Sequence, residues 1–263
     1  MSKHSVSFIG SGNLAWHLAP ALDNMGYVVR EVYSRNPSHA KDLTKRLYQA
    51  ETKNNLDFSS SSSNIFIIAV ADDAIQSIAQ ELVLPDDAVL VHTSGSQPLS
   101  LLGYAATPNI GVFYPLQTFS KNKKIDFQQI PIFIESETKE TERELRKMAE
   151  AISKNVKSIT SNERKALHVA AVFASNFTNH MLTISKDLLE AHHLDFNILK
   201  PLISETLNKS LVIGPDQSQT GPAVRGDLEI LDKHLEFLKT DESLALIYRY
   251  ISQHIIERYD VGE

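Results

Sequence analysis

Ser5-Val-Ser-Phe-Ile9 runs straight into Gly10-Ser11-Gly12-Asn13-Leu14-Ala15, and this junction decides how the first half of the chain folds. Ser5–Ile9 reads as a buried strand, and Asn13–Met25 repeats at the helical period until Gly26 stops it. Between them lies G-x-G-x-x-A. Gly10 permits the tight turn, and Gly12 lets the backbone approach a pyrophosphate without a Cβ in the way. Ala15 lets the helix pack close to the sheet. Alone the string is weak, but a strand before it and a helix after it supply the confirming context. Gly10, Ser11, Gly12, Asn13 and Leu14 are therefore expected to bind a dinucleotide.

Working outward, Tyr27–Tyr33 reads as the second strand, and Pro37 opens a helix running to about Ala50. Ile65–Val70, Ala88–His92, Ile110–Tyr114, Ile132–Glu135 and Val156–Thr160 read as further strands, with an amphipathic helix over Thr138–Ser153. The serine run Ser59–Ser63 reads as a short polar loop, and Asp72 and Asp73 as helix caps. Strands alternating with helices predict a parallel, doubly wound sheet. After Thr160 the pattern changes: Glu163–Ala191, Phe196–Leu211, Asp227–Leu238 and Glu242–Tyr259 all repeat at the helical period. The expected fold is α/β, with a Rossmann domain over residues 1–160 and an all-helical domain over 161–263.

The tip of the second strand selects the dinucleotide. An NAD site places an acidic residue about 20 residues beyond the glycines, on the ribose 2′-hydroxyl. Here the tip reads Tyr33-Ser34-Arg35-Asn36, and Glu31 lies earlier, within the strand. A hydroxyl beside a guanidinium suits a 2′-phosphate, so Ser34 and Arg35 predict NADP. The tips of later strands, Val70-Ala71 and Ser94-Gly95, are expected to complete the cleft. His92 is expected to be satisfied by a backbone carbonyl, and Lys121, Lys123 and Lys124 to form a solvated loop.

Composition narrows the partners. The chain has 263 residues, net charge −6 and no cysteine. A negative field repels phosphodiesters and anionic membranes, so neither nucleic acid nor membrane is expected as a partner. The lack of cysteine removes disulfides, thiolate metal sites and thiol nucleophiles. No run approaches the ~20 apolar residues needed to span a bilayer, and a cytoplasmic location is expected. No metal site is expected: the adjacent His192 and His193 diverge on a helix. Trp16 is expected in the core or an interface.

Three further strings stand out: Phe113-Tyr-Pro-Leu-Gln-Thr-Phe119, His168-Val-Ala-Ala-Val-Phe-Ala-Ser-Asn176 and Thr220-Gly-Pro-Ala-Val-Arg-Gly-Asp227. With the glycine string, they resemble a bacterial family of Rossmann-like proteins with a C-terminal helical domain of unknown function. That family is grouped near pyrroline-5-carboxylate reductase and deazaflavin-dependent NADP oxidoreductases, in the 6-phosphogluconate dehydrogenase-like superfamily. The resemblance covers nearly the whole chain and implies the fold, an NADP site and an oxidoreductase. It brings no substrate. One departure concerns Tyr114, where many members carry histidine; that puts proton transfer at this position in question, although a phenol still donates a hydrogen bond.

Relatives in the superfamily often supply the proton donor from the first helix of the second domain. Here that helix carries His168, Ser175, Asn176 and Asn179. At 100° per residue His168, Ser175 and Asn179 share a stripe, and Asn176 lies about 80° round from His168. His168 reads equally as an acid–base group or a satisfied interdomain histidine. Arg225 reads equally as an anionic-substrate clamp or the partner of Asp227. The main reading is an NADP(H)-dependent oxidoreductase acting on a small, anionic carbonyl or imine, with His168, Asn176 and Arg225 as candidate catalytic residues. The rival is a non-catalytic NADP(H) sensor. An enzyme requires a second, substrate-sized pocket lined by His168 and Asn176, whereas a sensor does not. The apolar helices of the second half further predict a homodimer.

Overall fold

The computed structural model describes residues His4–Tyr259, which divide into two compact units, residues 4–180 and 181–259. The first unit is built on eight strands: β1 (Ser5–Ile9), β2 (Val28–Tyr33), β3 (Glu51–Lys53), β4 (Ile65–Ile68), β5 (Val89–His92), β6 (Ile110–Pro115), β7 (Ile132–Ser136) and β8 (Val156–Ser158). They form one sheet in the order β3-β2-β1-β4-β5-β6-β7-β8. The order reverses between β1 and β4, the switch point where an α/β sheet opens a crevice.

Period-two alternation sorts the side chains onto two faces. Ile65 and Ile67 enter a core with Val6, Phe8, Leu18, Leu22, Leu145 and Met148. That face is covered by α1 (Asn13–Asn24), α2 (Pro37–Thr44) and α4 (Lys139–Ile152). Phe66 and Ile68 turn to the other face, where α3 (Ile75–Glu81) and a 3₁₀ segment, Leu99–Tyr104, bury Ile75, Ala79, Leu99 and Leu102. With both faces covered, the central strands read as continuous apolar runs.

Four details differ from expectation. The helix from Pro37 stops at Thr44, and the chain returns to the sheet edge as β3, a short, mostly exposed strand with no hydrophobic alternation to betray it. Asp23 holds that return by accepting from Tyr48 N–H at 2.8 Å. Asp72 and Asp73 lie in the first turn of a 3₁₀ segment, without capping hydrogen bonds. Most consequential, β7 runs antiparallel to β6, because residues 116–131 hold no α-helix to carry the chain back for a parallel pairing. Their loop therefore begins at the carboxyl edge of the parallel sheet. The fourth detail is the boundary.

Strands end at Ser158, yet the first unit continues to His180. Helix α5 (Ser161–Ala171) opens with a capping box between Thr160 and Glu163 and belongs to that unit. Its Arg164, 1% exposed, is the physical reason, being bonded to Glu135 on β7 and to carbonyls of the loop after β5. A wider π-type turn, Val172–Phe177, then leads into α6 (Thr178–Ala191). Among its described residues the second unit contains helices joined by turns and no strand, with α7 (Lys200–Ile213), α8 (Pro215–Ser218), α9 (Leu228–Phe237) and α10 (Glu242–Arg258). No helix among the described residues is long and apolar enough to cross a membrane.

Candidate active site

The two glycines of the β1–α1 turn do different work. Gly10 sits at φ +115°, and a Cβ there would lie 2.2 Å from the Ala69 carbonyl oxygen; the fold itself demands glycine. At Gly12 the nearest atom to a built Cβ is that same oxygen, at 4.0 Å. Gly12 is also the N-cap of α1, and no side chain caps the helix. The protein thus has room for a side chain at Gly12, and leaves the α1 N–H groups without a side-chain partner. That arrangement fits a pyrophosphate, which a Cβ would obstruct.

Around this turn opens a cleft of about 720 Å³. Its walls include Gly10, Ser11, Gly12, Asn13 and Leu14, then Ser34 and Arg35 from the tip of β2, and Val70 and Ala71 from the tip of β4. Arg35 is exposed. Glu31 points elsewhere: its carboxylate accepts from Ser7 Oγ at 2.7 Å and from Ser61 Oγ, with Lys53 at 3.9 Å. Ser61 of the serine run thereby holds the acid nearest in sequence to the position that marks an NAD site. Lys121, exposed in its loop as expected, also lines the cleft. Its Nζ lies 4.8 Å over the Trp16 ring, which Arg46 covers at 4.2 Å, so Trp16, half-buried and packed against the core as expected, also carries cations on its ring.

Ser94 and Gly95 do not line this cleft; Thr93 does. Ser94 Oγ is engaged in the turn, accepting from Ser96 N–H at 3.1 Å and Gln97 N–H at 3.0 Å. Gly95 instead lies against two side chains. A Cβ on it would be 2.5 Å from His168 Nδ1 and 2.7 Å from Tyr114 Cζ. His92 is fully buried, and its Nδ1 accepts from Ser94 N–H at 3.1 Å. Its Nε2 has no hydrogen bond. Burial, aided by the Arg164 charge and opposed by the Pro98 carbonyl and Asp72, lowers His92 to about 4.

The loop after β5 is fixed by Arg164. Nη1 donates to the carbonyls of Ser94 (3.1 Å), Gly95 (3.4 Å) and Gln97 (2.7 Å), and Nη2 to Glu135 Oε2 (2.8 Å). Sequence reasoning passed over this residue. The available signal was an arginine one helical turn before His168, inside an otherwise apolar stripe that later turns inward.

Tyr114 Oη lies 3.1 Å from His168 Nδ1, the rings meeting edge to face. Both line a second cleft of about 460 Å³ with Leu116, Gln117, Thr118, Ser175 and Asn176. Burial pushes the Tyr114 phenol up; Arg164 opposes that, and Asp72 adds to it. Asn176, about 80° round from His168 at the ordinary helical count, lines the same cleft. The π-type turn bonds i to i+5 and so advances less per residue than an α-helix, which brings Asn176 back round toward His168. All the lining residues belong to the first unit. Arg225, in the second unit, is exposed, and its guanidinium forms no ion pair with Asp227 among the described residues. No group of three or more metal-ligating side chains occurs among the described residues.

Comparison with known proteins agrees with this geometry. Residues 5–95 match the family model described as "NADP oxidoreductase coenzyme F420-dependent", and residues 130–255 match a domain of unknown function, DUF2520. The second match begins just before β7, the antiparallel strand. No curated protein matches the sequence. Among solved structures, a candidate NADP oxidoreductase from Bacteroides fragilis is 37% identical with TM-score 0.88, over 97% of this chain and 98% of that one. A Thermotoga maritima protein is 23% identical (TM-score 0.71), over 97% of this chain and 98% of its own. An imine reductase from Myxococcus stipitatus, in complex with NADP+, shares the fold at 14% identity (TM-score 0.67), over 98% and 95%. The identity to the Bacteroides protein, sustained over nearly both whole chains, shows that this chain belongs to the family of NADP oxidoreductase-like proteins in which a Rossmann domain is followed by DUF2520.

Proposed function

We propose that the protein is an NADP(H)-dependent oxidoreductase acting on a small, anionic carbonyl or imine compound. The observation that carries this is the Tyr114–His168 pair, two acid–base groups 3.1 Å apart on the wall of a second cleft. That cleft adjoins Gly95, two residues after Thr93 on the wall of the first. A sensor of nucleotide redox state has no use for such a pair, and that reading is not favoured.

Gly10, Ser11, Gly12, Asn13 and Leu14 would hold the pyrophosphate, Ser34 and Arg35 the 2′-phosphate, and Val70 and Ala71 the intervening ribose. NADPH bound there supplies the hydride. Everything else falls to the chain. Tyr114, kept protonated by burial, holds a proton for a developing alkoxide or amine. His168 Nδ1 stabilises the phenol oxygen and shares that proton. Asn176 and Ser175 offer an amide and a hydroxyl to orient the substrate, while Ala170, Ala171 and Val172 form an apolar wall that excludes water.

The test begins with nucleotide binding. Arg35→Ala should weaken NADPH by about 1–3 kcal/mol, the range for a lost charge-assisted contact, and leave NADH nearly unchanged. Tyr114→Phe should keep NADPH affinity and abolish NADPH oxidation against a panel of 2-oxo acids and cyclic imines. Equal losses for both nucleotides, or an unimpaired Tyr114→Phe enzyme, would refute the reading.

The assembly is assigned as a homodimer. In the second unit Leu202, Leu211, Val212, Phe237 and Tyr250 are each at least 60% exposed, more apolar surface than a monomer ordinarily presents to water. A sedimentation mass equal to one chain at micromolar concentration would overturn this.

A further inference from the structure

Lys121 reaches the nucleotide cleft from a segment that takes no part in the Rossmann fingerprint. It lies on the β6–β7 loop, and that loop is strapped across α1. The Ser120 carbonyl oxygen is 2.8 Å from His17 Nε2, and the Phe119 ring stacks on Phe127 at 6.0 Å. The next residue places its ammonium over the Trp16 indole, a contact that fixes a cation in position without neutralising it. The same cleft is lined by Ser34, Arg35 and His39. Lys121 also stands close to α2. Asp42, in that helix, has its carboxyl held below the usual range by Lys45 first, with smaller help from His39 and Lys121. No carboxylate lies within ion-pair distance of Lys121 among the described residues.

From this juxtaposition we infer that Lys121 is a second cation of the 2′-phosphate site and sets the preference for NADP(H) over NAD(H). The inference rests on the NADP reading above. A phosphate monoester carries nearly two negative charges at neutral pH, whereas Arg35 supplies one positive charge. A point charge seated on an indole complements the planar fork of an arginine without competing for its geometry. An unphosphorylated ribose gains nothing from either, so the second cation acts on specificity.

Calorimetric titration with 2′,5′-ADP and 5′-AMP isolates the adenosine half and needs no substrate. Wild type should bind 2′,5′-ADP more tightly than 5′-AMP. Lys121→Ala should weaken 2′,5′-ADP about tenfold and change 5′-AMP less than twofold, and Lys121→Arg should restore most of the loss. The unchanged 5′-AMP titration doubles as the check that the variant is folded. A Lys121→Ala protein that binds 2′,5′-ADP as wild type does would overturn the inference while leaving the NADP reading intact. Equal losses for both probes would also overturn it, by moving the contact to the 5′-phosphate. A wild type that binds both probes equally well would remove the NADP reading itself, and the inference with it.

Discussion

Arg164 is the residue on which the relation between the two clefts depends, and its removal has a calculable cost. It is 1% exposed, and its partner Glu135 is 15% exposed. Arg164→Met keeps most of the side-chain volume but strands the Glu135 carboxylate with a single donor, Ser161 Oγ at 2.7 Å. The Ser94, Gly95 and Gln97 carbonyls lose their donor at the same time. Breaking one side of a buried pair costs about 3–5 kcal/mol, because the surviving charge stays buried without compensation. At about 2–4 °C per kcal/mol for a chain of this size, the melting temperature should fall by about 6–20 °C.

The single tryptophan, Trp16, lies in the unit that Arg164 holds together, so its fluorescence follows the relevant transition during denaturant unfolding. Arg164→Met/Glu135→Gln removes the stranded charge as well, and should be less destabilised than the sum of the two single changes. If Arg164→Met unfolds within about 1 kcal/mol of wild type, the guanidinium is not what secures the loop after β5, and the argument linking that loop to His168 fails.

Two further changes test the same neighbourhood. His92 falls from 6.5 to about 4 on folding, so as pH drops the unfolded chain takes up its proton first; stability is complete above pH 6.5 and is lost between 6.5 and about 4. At 1.36 kcal/mol per pH unit the loss is about 3 kcal/mol; His92→Asn should flatten that acid slope in denaturant titrations at pH 7 and 5, and an unchanged slope would refute the assignment. Gly95→Ala puts a methyl 2.5 Å from His168 Nδ1, and should cost about 1–3 kcal/mol of stability while leaving NADPH affinity intact. A Gly95→Ala protein as stable as wild type would show that the ring has room to retreat.

What the sequence revealed and what it concealed divide along the range of the interactions. Gly10–Ala15 and Ser34-Arg35 were legible because a turn, a helix start and a strand tip are each set by neighbours in sequence. The central strand Ile65–Ile68 was legible because burial on two faces leaves an unbroken apolar run. The short strand β3 carries no such pattern, and the early end of α2 follows from it. Nothing in Val172–Phe177 announces that its turn is wider than an ordinary helical one. Lys121 and Arg164 were missed for a deeper reason. Each touches a partner far along the chain: Trp16 in one case, Glu135 and the carbonyls of residues 94–97 in the other. Both are put in place by the departure at β7. The antiparallel return sends residues 116–131 out past the carboxyl edge of the sheet, and sets Glu135 where α5 can reach it. A purely parallel sheet would have spent that segment on a crossover helix. The sequence does show Pro115 and Pro131 flanking a stretch with no helical period, and that absence of a helix was the one trace of where the second cleft would form.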